Sequence, residues 1–454
     1  MTSPLKRRAR ATLLGLTLAI TAAQPVMAQS VLRDSETEAL FKDISKPLIE
    51  AAKLDPKSVS VVLLNDPEIN AFVATGQTVY IQSGLLAAAD NVNQLQGVIA
   101  HELGHVAGGH SIRIRDGEAV ATKISLLSLL LGAAAMAAGA GEAGMGIMAA
   151  GQQAAMGNFF SFSRAQETSA DLAGAHYLTT AGISGKGTLD FFKKLQNQEY
   201  RLAIAQTDDY ASTHPLNSDR IQSLEQIYKK DPAWNKPVDP LLEARFDRVK
   251  AKLLGYVDSK RATTVYPESD QTIPAHYARA YAYHLGAYPE KAALEADTLL
   301  RLAPNDPYFL ELKGQILLEG GKPREALAPL RLAVARAPDK PMIAALLGHA
   351  LVATEDSKNF PEAKQVLRQA IARDNDNPDA WYQLGIVYDH DGDTPRAALA
   401  TAERNNLQGE NKLALASAKM AMNGLKPGTP DYLRAQDIAM VSEAALKKDK
   451  KKKK

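Results

Sequence analysis

The 454-residue sequence contains no cysteine. A disulfide scaffold, a zinc site built from thiolates and a cysteine nucleophile are therefore excluded. Aromatic residues make up only 6% of the chain, whereas hydrophobic residues make up 46% and charged residues 23%. These proportions are typical of a globular protein, so wholesale disorder, a collagen-like chain and a multi-span membrane protein are not expected. The length predicts about two or three domains.

The sequence also lacks a large net charge, because its formal charge is only +2. Basic residues are concentrated at the two ends. Residues 1–28 contain four basic residues and no acidic one, and residues 447–454 contain seven lysines and one aspartate. Residues 29–446 therefore carry a net charge of −8, so nucleic acid is not an expected partner. We interpret residues 447–454 as a lysine-rich tail in solvent, and contact with acidic lipid head groups is the alternative.

Residues 1–28 have the pattern of a secretory signal peptide. Basic residues are followed by an apolar stretch over residues 11–23, and small residues at Val26 and Ala28 indicate cleavage before Gln29. An uncleaved membrane anchor is the alternative, but the apolar stretch is short for a membrane span. The mature protein is therefore expected to work outside the cytoplasm.

The pattern of apolar residues up to about residue 260 predicts a mainly helical domain with a small sheet. The predicted helices cover residues 31–54, a short segment with Ser83 as its N-cap, and Asn93–His110. The predicted strands cover residues 59–64, 71–74 and 78–81, the last two forming a hairpin with a turn near Thr75-Gly76. Residues 236–269 are expected to link or buttress the two parts of the chain.

Residues 124–156 form an unusually apolar segment. No charged residue occurs from Ile124 to Gly141, and after Glu142 the uncharged pattern continues to Met156. The length of this stretch is at the lower limit of a membrane-spanning helix. We favour a helical hairpin that is buried on the body of the protein, forms a lid or dips into a membrane surface, and a true span is the alternative.

From about residue 270 the chain repeats itself with a period near 34 residues. Small residues recur in two columns, and proline recurs in a third. The columns are Ala292, Ala326, Ala363 and Ala397; Ala280, Gly314, Gly348 and Gly385; and Pro307, Pro341 and Pro378. This period predicts tetratricopeptide repeats over residues 270–446, with an inserted loop near Thr354–Lys358. Stacked helix pairs of this kind form a solenoid with a concave groove that binds partners.

The sequence HELGH at residues 101–105 is an HExxH motif. On a helix, His101 and His105 share one face and can bind one metal ion, while Glu102 stands beside them to take a proton from a metal-bound water. Catalytic zinc needs a third protein ligand as well. His110 does not fit the spacing of a third histidine ligand, so we interpret it as solvent-facing or structural.

A second helix supplies a better third ligand. Glu167 and Asp171 lie four residues apart, so one carboxylate can complete the zinc ligands and the other can accept the N–H of a ligating histidine. A further motif contains His214, which precedes a proline, and Arg220. His214 can bind the metal at rest or hydrogen-bond an oxyanion, and Arg220 can stabilise the same charge. Taken alone, these two residues would be a histidine at a helix start and a surface arginine.

HELGH, SRAQETSAD at residues 163–171 and THPLNSDRI at residues 213–221 together resemble the family of HtpX and the CAAX prenyl proteases. These are gluzincin zinc metallopeptidases. The resemblance implies an α+β fold, with a mainly helical gluzincin peptidase domain and a small sheet over residues 29–260, followed by an all-α tetratricopeptide-repeat solenoid. It also implies one Zn²⁺ ion per chain, held by His101, His105 and Glu167.

The resemblance assigns roles to the other site residues. It implies that Glu102 is the general base, that Asp171 supports a ligating histidine, and that Arg220 stabilises the transition state. His214 matches a histidine that can occupy the fourth zinc position and keep the enzyme latent. The hairpin near residue 75 resembles the edge strand on which such peptidases lay an extended substrate. The expected substrate-binding residues are Ala71, Phe72, Val73 and Ala74.

The expected function is therefore hydrolysis of peptide bonds in misfolded or stalled proteins, those of the outer membrane in particular, by a periplasmic zinc endopeptidase. The resemblance further implies contact with the outer-membrane assembly machinery through the repeat groove, and a peripheral membrane contact is left open. The rival hypothesis is a repeat-based chaperone or scaffold for envelope assembly with little proteolysis. A structural zinc protein is disfavoured because Glu102 would then have no task.

Overall fold

The computed structural model describes residues 30–74, 76–137, 140–202, 214 and 218–452. The predicted signal peptide therefore lies outside the described residues, as do Thr75 of the predicted turn and the immediate neighbours of His214. Within the described chain the protein is mainly helical, with one small sheet followed by helical repeats, as predicted.

The N-terminal part begins with a short strand rather than with a helix. Val31–Leu32 forms β1, and helix α1 covers Ser35–Ala51, so the helix predicted over residues 31–54 is shorter at both ends. The cause at the start is Asp34, whose carboxylate accepts a hydrogen bond from the backbone N–H of Thr37 at 2.7 Å and caps the helix.

A four-stranded mixed sheet follows. Its remaining strands are β2, Ser60–Leu64; β3, Ala71–Val73; and β4, Thr78–Gln82. The strand order is β1-β2-β4-β3, in which β2 and β4 run parallel and the two outer strands pair antiparallel. The predicted hairpin of β3 and β4 is confirmed, with Ala71 opposite Ile81. Strand β3 therefore lies at an edge of the sheet and pairs with a neighbouring strand on one side only.

Helices complete the N-terminal part of the protein. They are α2, Ser83–Ala88; α3, Val92–Gly108; α4, His110–Ala137; α5, Gly141–Ala181; α6, Lys186–Leu202; and α7, Ser218–Tyr228. The prediction that Ser83 caps α2 is wrong, because its hydroxyl donates to the carbonyl oxygen of Asp66 at 2.6 Å instead. Helix α3 ends at Gly108, since Gly109 adopts a left-handed conformation with φ of +62°.

The core of this region surrounds α3. Leu95, Ile99 and Leu103 on α3 are inaccessible to solvent and belong to one cluster with side chains from α1, the sheet and α6. Leu40 and Phe192 are two of these partners, and both are fully buried. A helix enclosed in this way holds its polar side chains in fixed positions, which is the condition that a metal site requires.

Helices α4 and α5 form a hairpin over the apolar segment. Gly117–Ala137 is long and apolar enough to cross a membrane, yet only 11% of its most apolar window is buried. The hairpin is closed by small residues, because a Cβ atom on Gly132 would lie 2.7 Å from the carbonyl oxygen of Gly144. The leucines point outward, so the alternative of a hairpin buried on the body is wrong.

The C-terminal part is a stack of helix pairs. Its helices are α8, Pro240–Val257; α9, Ser259–Val265; α10, Ile273–Leu285; α11, Pro289–Leu302; α12, Pro307–Glu319; α13, Pro323–Arg336; α14, Pro341–Ala353; α15, Phe360–Arg373; α16, Pro378–His390; α17, Thr394–Leu407; α18, Asn411–Gly424; and α19, Pro430–Lys452. The insertion expected near residues 354–358 contains a short 3₁₀ turn, Ser357–Asn359. Proline at the first position of many of these helices explains the repeated proline column.

The repeated small residues are contact points between paired helices. A Cβ atom on Gly314 would overlap the side chain of Leu330, and one on Gly348 would overlap that of Leu367. The glycine column therefore marks the places where a leucine of the next helix packs against the backbone. Ala292, in the alanine column, is fully buried.

Helix α8 joins the N-terminal part to the repeats. Lys252 on α8 lies 2.7 Å from Asp34 and 2.9 Å from Glu36, both at the start of α1. Arg248, one turn earlier, pairs with Glu36 at 2.7 Å and with Asp306 of the repeats at 2.7 Å. Residues 236–269 are thus mostly helical and buttress both parts.

Candidate zinc site

Two helices bring the predicted site residues together. Helix α3 carries His101, Glu102 and His105, and helix α5 carries Glu167 and Asp171. All five residues are buried, and Glu102 is completely inaccessible to solvent.

The glycine of HELGH lets the two helices approach closely. A Cβ atom on Gly104 would lie 2.6 Å from the carbonyl oxygen of Ala170, and one on Gly174 would lie 3.1 Å from the backbone of Ala100. The α3 and α5 backbones are thus in direct contact on both sides of the site. This contact sets how far Glu167 stands from the two histidines, a role for Gly104 that the sequence reasoning missed.

Four side chains converge with the spacing of metal ligands. His101 Nε2 lies 3.1 Å from His105 Nε2, and Glu167 Oε1 lies 3.3 Å from His105 Nε2. His214 Nδ1 lies 3.1 Å from Glu167 Oε1 and 3.4 Å from His101 Nε2. All four ligand atoms lie within 4.8 Å of one another. In a tetrahedral zinc site with bonds of about 2.0–2.1 Å, neighbouring ligand atoms are roughly 3.3 Å apart, so three imidazoles and one carboxylate fit zinc here.

Glu102 stands next to this cluster without being part of it. Neither of its carboxylate oxygens accepts a hydrogen bond from the described part of the chain. His214 Nε2 lies 3.5 Å from Oε1 of Glu102. A buried carboxylate with unused acceptors beside a metal-binding cluster is placed to bind and deprotonate a water molecule.

Asp171 and Arg220 form a second layer behind the ligands. Asp171 Oδ1 lies 3.0 Å from His101 Nδ1, the ring nitrogen that faces away from the cluster. Arg220 donates to Asp171 from Nε at 2.7 Å and from Nη2 at 2.8 Å, and its Nη1 lies 3.1 Å from Glu167 Oε2. The guanidinium is therefore directed at the carboxylates that hold the ligands. Its predicted role at an oxyanion stays a prediction.

The charges of the cluster follow from these contacts. Burial disfavours the ionised carboxylate of Asp171, but hydrogen bonds from Arg220 and His101 lower its pKa below the ordinary value. Burial likewise opposes ionisation of Glu167, yet contacts with the three histidines lower its pKa strongly. Burial disfavours the charged form of His101, but Asp171 and Glu167 raise its pKa to about 10. Without a metal ion the cluster therefore holds a proton, which a bound cation would replace.

His214 contacts the edge strand as well as the cluster. Its Nε2 lies 3.3 Å from the carbonyl oxygen of Ala71, the first residue of β3. The neighbouring carbonyl, that of Asn70, bonds to Gln82 across the sheet, so the carbonyl of Ala71 points to the free side of the strand. The predicted substrate residues Phe72, Val73 and Ala74 continue along the same edge, and their role stays a prediction.

His110 is not exposed to solvent. It begins α4 and its side chain is buried, with Nδ1 2.9 Å from His105 Nδ1. Burial, together with the neighbouring His105, lowers the pKa of His110 to about 4, so the ring is neutral. The solvent-facing alternative is therefore wrong, and the structural one stays a prediction. The sequence signal for this contact is the Gly108-Gly109 pair, which lets the chain fold back.

Comparison with known proteins supports the interpretation of the cluster as the zinc site of a peptidase. The model for Peptidase family M48 matches residues 12–228, and tetratricopeptide-repeat models match residues 288–341 and 355–419. The beta-barrel assembly-enhancing protease of Yersinia pestis is 26% identical over 381 residues, which are 82% of this chain and 76% of that protein. The protein of the same name from Escherichia coli (strain K12) is 25% identical over the same shares.

A shorter relative matches the peptidase region. Metalloprotease LoiP of Escherichia coli (strain K12) is 31% identical over 182 residues, which are 39% of this chain and 64% of that protein. The HExxH helix and Glu167 provide the ligand set of a zinc peptidase. Residues 12–228 therefore match peptidase family M48 and carry the ligand set of a zinc metallopeptidase, and tetratricopeptide repeats follow this region.

Proposed function

We propose that the protein is a periplasmic zinc endopeptidase that cleaves misfolded or stalled outer-membrane proteins and is kept latent by His214. The observation that carries this proposal is the convergence of His101, His105, Glu167 and His214 within 4.8 Å, beside the buried carboxylate of Glu102. The class of substrate and the compartment are suggested by the relatives whose name describes beta-barrel assembly.

His101, His105 and Glu167 would hold the zinc ion, which would supply Lewis-acid chemistry that polarises a carbonyl group and lowers the pKa of water. The protein's own residues direct the reaction. Glu102 accepts a proton from the attacking water and returns it to the leaving amine. Asp171 holds His101 in the tautomer whose Nε2 is free to bind the metal ion. Arg220 fixes both Asp171 and Glu167.

Substrate binding follows from the free edge of β3. An extended peptide that adds a strand there gains backbone hydrogen bonds, including one from its N–H to the carbonyl oxygen of Ala71. His214 Nε2 lies 3.3 Å from that oxygen, while its Nδ1 stands among the metal ligands. His214 therefore occupies a position that the substrate needs and a position that the water needs. A latent state follows whenever it stays there.

The hairpin of α4 and α5 is proposed to contact a membrane surface. Five leucines of α4 are more than two-fifths exposed, namely Leu126, Leu127, Leu129, Leu130 and Leu131. The helices meet through Gly132, Gly144, Gly151 and Ser128, the small residues that are typical of helix contacts in lipid. A hairpin with leucines outside and glycines inside suits an apolar surrounding better than water. Since it belongs to the same α5 that carries Glu167, it also borders access to the site.

The repeats provide the second part of the function. We propose that their groove binds protein partners, among them the outer-membrane assembly machinery, and brings substrates to the peptidase region. The alternative, a chaperone or scaffold with little proteolysis, uses the same groove. The chaperone or scaffold differs from the peptidase because it does not need Glu102 as a general base.

Glu102→Gln separates the two possibilities. This substitution keeps the size of the side chain and removes the base, so casein cleavage is expected to fall by about 10²–10⁴-fold while zinc content and thermal stability are kept. Because latency lowers the wild-type rate, the comparison is made in a His214→Ala background. Full complementation of a gene deletion by Glu102→Gln, although this variant no longer cleaves casein, would favour the scaffold.

A further inference from the structure

We propose that His110 is a positioning residue that holds the zinc ligand His105 through a hydrogen bond between their Nδ1 atoms. This inference rests on the proposed zinc function of the HExxH helix. The two Nδ1 atoms are 2.9 Å apart, and the rings meet edge to face with their centroids 4.9 Å apart. Both side chains are buried.

The backbone is built to allow this contact. Helix α3 ends at Gly108, and Gly109 takes the left-handed conformation, with φ of +62°, that reverses the chain. His110 then begins α4, with its ring turned back over the end of α3. A Cβ atom on Gly108 would overlap the ring of His110 at Nε2, so this ring position requires glycine there. The two glycines and the histidine therefore act as one unit.

Proton positions follow from the roles of the nitrogen atoms. His105 Nε2 faces His101 Nε2 at 3.1 Å and Glu167 Oε1 at 3.3 Å, so Nε2 is the atom that binds the metal ion. A neutral imidazole that binds through Nε2 carries its hydrogen on Nδ1. His105 Nδ1–H therefore donates, and His110 Nδ1 accepts. Deletion of such an outer partner typically lowers metal affinity about 10- to 100-fold.

The two histidine ligands are supported in different ways. His101 Nδ1 faces the carboxylate of Asp171 at 3.0 Å, whereas His105 Nδ1 faces a neutral ring. The site already contains the carboxylates of Glu102, Glu167 and Asp171. A neutral acceptor orients His105 without adding a fourth negative charge. This explains why a histidine is suited to the position.

Zinc affinity of the full chain, measured by competition with a chelator, tests the proposal. His110→Leu keeps an apolar side chain but removes the acceptor, and is expected to weaken zinc binding about 10- to 100-fold. His110→Asn offers an amide oxygen near the Nδ1 position, and is expected to restore affinity to within a few-fold of wild type. His176→Leu, at an exposed position on α5, is the matched control and should leave affinity unchanged.

A measurement on the wild-type protein makes the test independent of how the variants fold. In zinc-loaded protein labelled with ¹⁵N-histidine, His105 is expected to show a protonated Nδ1 with a slowly exchanging hydrogen. Equal affinity of His110→Leu and wild type would overturn the proposal, as would equal weakening by Leu and Asn or a His105 hydrogen on Nε2. Wild-type protein that binds no zinc at all would instead overturn the proposed function.

Discussion

His214 Nε2 lies 3.3 Å from the carbonyl oxygen of Ala71, at the free edge of strand β3. The other ring nitrogen of His214 lies among the metal ligands, 3.1 Å from Glu167 Oε1. One imidazole therefore links the place where a peptide backbone would bind to the place where its carbonyl would be attacked. If a substrate strand binds at this edge as proposed, it would compete with His214 for the same acceptor.

This competition predicts tighter peptide binding when His214 is removed. In the zinc-loaded Glu102→Gln protein, adding His214→Ala should strengthen binding of an extended, uncleaved peptide by about tenfold or more. The reason is that the imidazole no longer blocks the edge strand in any of the molecules. Fluorescence anisotropy with a labelled peptide measures the change. His176→Ala in the same background should have no effect. Equal affinity with and without His214 would mean that it does not obstruct the edge strand.

Gly104→Ala should loosen the zinc site. The new Cβ would stand 2.6 Å from the carbonyl oxygen of Ala170, so α5 must move away from α3 and take Glu167 with it. We expect a loss of about 1–3 kcal/mol of stability and at least a tenfold loss of zinc affinity, measured by thermal unfolding and chelator competition. Gly157→Ala is the control on α5, because a Cβ there meets nothing within 4 Å. An unchanged zinc affinity in Gly104→Ala would show that this close contact does not set the ligand geometry.

Charges on the hairpin should abolish membrane binding. Leu127 and Leu130 are 58% and 62% exposed on α4, and replacing both with Glu makes insertion into an apolar phase costly. Flotation with vesicles of phosphatidylethanolamine and phosphatidylglycerol should recover the wild-type protein but not this variant. Leu241→Glu on α8, where the side chain is 77% exposed, is the matched control and should float like wild type. If the wild-type protein stays in the unbound fraction, the proposed membrane contact is wrong and only the role of a lid remains for the hairpin.

Stability should fall as the pH rises because of Glu311. Its carboxyl faces a cavity of about 460 Å³ between α1 and the repeats. Burial, then the negative charges of Asp34 and Glu36, raise its pKa from 4.5 to about 8, although Lys252 works in the opposite direction. A raised pKa in the folded state gives stability that is complete below pH 4.5 and is lost as the pH rises through about 8.

Glu311→Gln should therefore stabilise the protein at pH 8–9 and have little effect near pH 4, as measured by urea unfolding at each pH. The substitution Glu325→Gln, at an exposed position on α13, should show no such dependence. A Glu311→Gln effect that is the same at both pH values would show that this carboxyl does not keep its proton in the fold.

Much of the site was predictable from helical spacing. Residues four apart share a face, so His101 with His105, and Glu167 with Asp171, were expected on the correct sides of two helices, and the structure joins them. His214 depended on the resemblance of its motif, because nothing in the local pattern of a loop histidine indicates a metal. The repeat columns were predictable because each repeat buries the same contact, as Gly314 and Gly348 show.

Other features depend on contacts between distant parts of the chain. The parallel pairing of β2 with β4 joins strands that are not consecutive in the chain, and β1 reaches β2 across the whole of helix α1; strand patterns do not encode such partners. The fold-back of His110 depends on the left-handed Gly109 after α3, whereas the apolar pattern predicts a helix that continues to His110. The acceptor on Ala71 is its backbone carbonyl oxygen. Every residue type has this atom, so the sequence does not indicate which carbonyl contacts His214.

The central claim is a zinc peptidase that His214 keeps latent. The most direct measurement is the casein cleavage rate of wild type and His214→Ala, with the zinc content of each protein determined. The same two proteins carrying Glu102→Gln are the controls for cleavage by other proteases. We predict about one zinc ion per chain in all four proteins and cleavage at least tenfold faster in His214→Ala than in wild type. Glu102→Gln should lower cleavage by about 10²–10⁴-fold. Slower cleavage in His214→Ala at full zinc content would contradict the claim, because His214 would then assist the reaction rather than block it.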